Sequence, residues 1–150
     1  MTGRSTLPPA ERLAWLRLIR SENVGPVTFH QLVARFGSAT AALEALPEIA
    51  RRGGRAKPLT IVPVAAAERE IEAVARLGAR LVARSEPDYP AALAAIDDAP
   101  PLLTVRGKIE LAAQRAIAVV GARNASANGR RSERRPKRCF KAASSLPRSS

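Results

Sequence analysis

Apolar residues recur at helical spacing through the first half of the chain, then regroup near residue 78 into short strand-like runs. Leu13, Leu16 and Ile19 share one side of a helix predicted over residues 9–21, and Trp15 and Leu18 widen that face. A proline in the first turn suits a helix start, where one amide has no partner in any case. Val24-Gly25-Pro26 reads as a tight turn. Phe29, Leu32, Val33 and Phe36 then stand at i, i+3, i+4 and i+7, with Gly37 as a C-terminal stop. Ser38 can cap a third helix carrying Leu43 and Leu46, and residues 51–58 read as a loop. Residues 64–77 form a further amphipathic pattern with Ile71, Val74 and Leu77 inward and Gly78 as its stop.

From Gly78 the period shortens. Residues 79–83 read as a strand, 85–90 as a turn, and 91–96 as a helical turn. Residues 102–107 form a second strand and 108–113 a short helix. Residues 116–121, "AIAVVG", are apolar without a polar face, as in a parallel strand buried on both sides. The fold class expected is therefore α/β. A small SAM-like, helix-hairpin-helix-like helical domain precedes the incomplete start of a Rossmann-like parallel sheet. The expected divisions are a disordered N-terminus over 1–8, the helical domain over 9–77, the sheet domain over 78–129 and a basic, disordered tail over 130–150.

Charge changes this picture in one respect. The 150-residue chain carries +12, but residues 130–150 hold eight Lys/Arg against one Glu. The overall charge invites a nucleic-acid partner, yet more than half of the excess lies in a fifth of the chain. The single cysteine, Cys139, excludes an intramolecular disulfide and a cysteine-based zinc site. No metal or cofactor is expected. The N-terminus lacks a signal-peptide apolar run and nothing approaches a membrane span, so a soluble cytoplasmic protein is expected.

The candidate chemistry sits in "GARNAS", at the C-terminal end of the predicted parallel strand and at a helix start, where open α/β sheets bind ligands. Gly121 lets backbone approach a ligand, Arg123 offers a planar fork for phosphate, and Ser126 supplies a hydroxyl and a cap. A dinucleotide fingerprint needs three glycines, and residues 121–126 hold one. A polyanion gripped by side chains fits better than a buried dinucleotide. In the Asn23–Pro26 turn, Asn23 replaces the first glycine of a phosphate-facing hairpin and Pro26 has no amide to give, so a packing role is expected. His30, the only histidine, is expected at a helix surface rather than as a base. Asp97 and Asp98 read as turn chemistry, and no catalytic residue is expected.

These segments resemble, in order, the N-terminal half of the bacterial DNA-processing protein A (DprA/Smf) family. Residues 11–46 resemble its SAM-like domain. Residues 78–107, with "DYP" and "PPLLTVRG", resemble its connector, although Asp88, Tyr89 and Pro90 are consecutive here. Residues 116–129 resemble the G-[SA]-R-x-x-S-x-x-G opening of its Rossmann-like domain. The resemblance covers about residues 10–129. It implies single-stranded DNA binding, help in loading the RecA recombinase during natural transformation, a homodimer, and no catalytic reaction. Gly121, Arg123, Ser126 and Gly129 match the family motif, and Arg123 is the residue implied to meet DNA phosphate.

Residues 130–150 offer few apolar anchors for a sheet. Codons re-cut one base earlier over residues 132–148 can spell a helix, a glycine stop and a buried strand, so a truncated or frame-shifted copy is expected. Two other functions stay open. One is a Rossmann-like phosphoribohydrolase-type enzyme fragment, and the other a small helical domain with a basic nucleic-acid-binding arm.

Overall fold

The computed structural model describes residues 6–52 and 59–114. Four helices come first: α1 (Pro9–Arg20), α2 (Pro26–Phe36), α3 (Ala39–Arg52) and α4 (Val64–Arg76). They are followed by β1 (Ala79–Ala83), the one-turn helix α5 (Ala91–Ala94), β2 (Leu102–Arg106) and a 3-10 turn over Ile109–Ala113.

The helix ends follow from local chemistry. Pro9 occupies the first turn of α1, and the Ser21 hydroxyl donates to the Arg17 carbonyl at its other end (2.8 Å). Gly37 ends α2 in the left-handed region (φ 81°), with its N–H on the Val33 carbonyl at 2.8 Å. Ser38 caps α3 as expected, accepting the Ala41 N–H at 3.1 Å. The Glu11 carboxylate of α1 adds to that cap by accepting from Ala39 N–H and from the Thr40 hydroxyl, which places negative charge at a helix N-terminus. The predicted loop at 51–58 begins two residues late. Arg51 and Arg52 form the last turn of α3 because both pair with Glu48 one turn back. Residues 53–58 of that loop lie outside the described residues.

α1 is the hub. Ala14, Trp15 and Leu18 pack with Phe29 and Leu32 of α2 and with Ala42, Leu43 and Leu46 of α3. Trp15 and Phe29 meet edge to face, centroids 4.9 Å apart. Leu16, on another side of α1, packs with Ala67 and Val74 of α4 and with Leu81 of β1. One face of the strand pair is thus covered by helices. Its other face carries Val82 and Val105, which pack with Tyr89 and Ile109.

β1 and β2 pair antiparallel, with Ala79 opposite Arg106 and Ala83 opposite Leu102. A mixed α/β body is therefore present, and the strand pair found among the described residues is not parallel. The strand expected to be parallel, residues 116–121, lies outside them. The helical and strand segments share cores across residues 77 and 78, since Leu81 and Ala83 each pack with residues of α1.

Three further expectations need correction. Leu77 points outward at 55% exposed, because α4 ends at Arg76. Each helical residue advances about 100°, so three positions beyond Val74 lies roughly another 60° round, past the Ala67–Ile71–Val74 face. Residues 6–8 do not behave as part of a disordered segment. Leu7 packs against the first core and its N–H donates to Glu86 at 3.0 Å. His30 is not a plain surface residue. It is half-buried, edge-on to the Phe29 ring, with Nε2 2.9 Å from the Ala99 carbonyl oxygen.

Candidate functional site

Gly121, Arg123, Ser126 and Gly129 all lie outside the described residues. What the described body builds is the support immediately before them in the chain. Its centre is the proline segment Ala99–Pro101, which leads directly into β2.

Prolines have no N–H, so this segment is anchored through its carbonyls. Three consecutive carbonyl oxygens accept from three different places. Ala99 accepts from His30 Nε2–H of α2 (2.9 Å), Pro100 from the Tyr89 hydroxyl (2.7 Å), and Pro101 from the Arg84 N–H (2.9 Å). A carbonyl can only accept, so His30 Nε2 is the donor in this contact. The Arg84 guanidinium also donates to the Ala94 carbonyl at 2.7 Å, closing α5. Burial pushes the Tyr89 phenol above its ordinary value, with the nearby Arg84 charge opposing that shift. The phenol therefore stays protonated as the donor this contact requires.

A second anchor holds the start of α1 against the turn after β1. Glu86 is buried and accepts from the Leu7 N–H, from the Ala83 N–H at 2.8 Å, and from the Arg12 guanidinium, with which it forms an ion pair. Arg12 also donates to the Leu81 carbonyl at 3.3 Å. Sequence reasoning assigned residues 85–90 to a turn and missed this pair. The available signal was Arg12 itself, which stands on the Leu16–Ile19 stripe of an apolar helix face at i and i+4.

The Asn23–Pro26 turn serves packing. Val24 is buried in the first core, and Asn23 takes φ 59° to make the reversal. Beside this turn lies a cleft of about 310 Å³, whose walls include Leu16, Ile19, Val24, Pro26 and Pro101. Arg20 borders it, but its guanidinium is engaged by Glu70 at 2.8 Å, so the cleft offers no free cation from that residue. Asp97 and Asp98 are exposed on a turn.

Electrostatically the described body is balanced. It holds twelve Lys/Arg and twelve Asp/Glu, while the other thirteen Lys/Arg and one Glu stand outside it. The whole formal charge of +12 therefore belongs to segments beyond the described body. Among the described residues, no group of three or more His, Cys, Asp or Glu could hold a metal ion. No helix among them is long and apolar enough to cross a membrane.

Residues 9–73 match the model of the DprA-like N-terminal HHH domain. Residues 80–144 match the model of the DNA recombination-mediator protein A family, and that match runs fifteen residues past Gly129. No curated protein matches the chain.

Proposed function

The chain belongs to the DNA recombination-mediator protein A family, and on that premise we propose that it binds single-stranded DNA through the loop at residues 121–129. A DNA-processing, recombination-mediator role follows from the family. The finer reading is that Arg123 contacts phosphate, that Gly121 and Gly129 let backbone approach the strand, and that Ser126 adds a hydroxyl contact. Binding of this kind grips the backbone and gives affinity without sequence preference. The chain then helps load RecA on the strand it holds, acts in the cytoplasm, pairs with a second copy and catalyses no reaction.

The observation carrying this reading is the division of charge. A neutral body with its whole net charge in the remaining segments suits a scaffold that presents a separate polyanion contact. Titration of the full chain with a fluorescent oligothymidylate tests it. Affinity should fall steeply with salt, and absence of binding at low salt overturns it.

The same division of charge supports a second reading, in which residues 130–150 are a genuine basic arm and themselves hold the nucleic acid. The two part at Arg123. Its truncation matters under the first reading. Under the second it removes one charge among many.

A further inference from the structure

Of the twelve Lys and Arg side chains in the described body, eight meet a carboxylate, a backbone carbonyl or an aromatic ring. Four have no such partner among the described residues: Arg69, Arg76, Arg106 and Lys108. Three of those four stand at one end of the strand pair. Arg76 is the last residue of α4, three positions before Ala79, and Ala79 lies opposite Arg106. Lys108 follows two residues later, and all three are exposed. Glu72 and Glu110, the nearest acids in sequence, form no ion pair with any of them.

Among the described residues, the surface at this end is open. Gly78 and Gly107 turn the chain with φ of 65° and 93°, and a Cβ built at either meets no atom within 4 Å. Between Arg76 and Gly78 stands Leu77, the most exposed large apolar side chain of the described body. An apolar side chain among three cations that have no partner among the described residues suits a binding partner that shows both negative charge and bare apolar faces. Single-stranded nucleic acid has that chemistry, because its unpaired bases expose flat faces that a duplex hides.

We propose that Arg76, Leu77, Arg106 and Lys108 form a second contact for single-stranded DNA, with the cations on phosphates and Leu77 against a base. This rests on the DNA-binding function above and adds to it residues other than 121–129. The open end of the strand pair is then a working surface. It lets the neutral body follow a strand held elsewhere on the chain.

The test compares two variants of the full chain that lose equal charge. Arg76→Gln/Arg106→Gln/Lys108→Gln should weaken oligothymidylate binding about tenfold or more. It should also lower the slope of log K against log salt by about 2, or ~0.7 per contact. Arg35→Gln/Arg52→Gln/Arg69→Gln removes three exposed cations elsewhere and should change affinity less than twofold. Leu77→Ser should weaken single-strand binding and leave duplex binding unchanged. Equal behaviour of the two triple variants overturns the proposal while leaving the DNA-binding function intact. So does loss of binding to polyglutamate with oligothymidylate affinity retained, which would assign the surface to an acidic protein. If the unaltered chain binds no oligothymidylate at any salt, the DNA-binding function itself fails and this contact falls with it.

Discussion

The Tyr89 hydroxyl donates to the Pro100 carbonyl oxygen at 2.7 Å, joining two turns that lie eleven residues apart in the chain. Those turns carry "DYP" and "PP", two of the runs on which the connector resemblance rests. Their residues are thus explained by each other. Pro100 and Pro101 have no N–H to donate, so they are held by donors that reach their carbonyls, and a tyrosine with a buried ring and a polar tip is one.

Tyr89→Phe keeps the ring and removes the donor, and should cost about 1 kcal/mol of stability. Its pH signature is more specific. The folded phenol titrates above its ordinary value of 10.0 because it is buried. Its contribution is therefore complete below that value and is lost as pH rises from there through the folded value. Denaturant midpoints should show the unaltered chain losing an increment above about pH 10 that Tyr89→Phe does not lose. Parallel alkaline curves would mean the phenol is not protected by burial.

Removing the two members of the Arg12–Glu86 pair should be unequal. Glu86 answers three donors, including the Ala83 N–H of a wholly buried residue. Glu86→Ala removes the shared acceptor of a guanidinium and two amides, and should cost about 3 kcal/mol, the low end for a broken buried pair because Arg12 keeps partial access to water. Arg12→Ala leaves Glu86 with two amide donors that still satisfy its carboxylate, and should cost less. Equal losses in urea melts would contradict this asymmetry.

Leu77 and Val74 make a contrasting pair on one helix. Val74 is 3% exposed, and Val74→Ala should cost about 2 kcal/mol from lost burial and the cavity left behind. Leu77→Ser should stay within about 0.5 kcal/mol, as for other surface substitutions. Thermal midpoints that move together would restore Leu77 to the core.

Elements with strong periodicity were legible in the sequence. The α2 stripe from Phe29 to Phe36, the Ser38 cap and the five residues of β1 all fall where the pattern put them. What was not legible depends on contacts distant in sequence. His30 looks like a surface residue until the proline segment, 69 positions away, brings a carbonyl to it. Glu86 looks like turn chemistry until α1 delivers Arg12, 74 positions away. Leu77 failed for a local reason, since its spacing suited the stripe but the helix had already reached the edge of its buried face. The matched loop at 121–129 was identified from residue types and order, and its geometry lies outside the described residues.

Arg123 is the residue proposed to hold the phosphate backbone of single-stranded DNA, and the DNA-binding reading turns on it. The most direct measurement is the affinity of the full chain and of Arg123→Ala for a fluorescent oligothymidylate across a salt series. Arg123→Ala should lose about 1–3 kcal/mol of affinity, the range for hydrogen bonds to charged groups and buried polar partners. Its salt slope should be shallower by roughly 0.7, one phosphate contact. Unchanged affinity and slope would contradict that reading, and would move the DNA contact to the basic residues of 130–150.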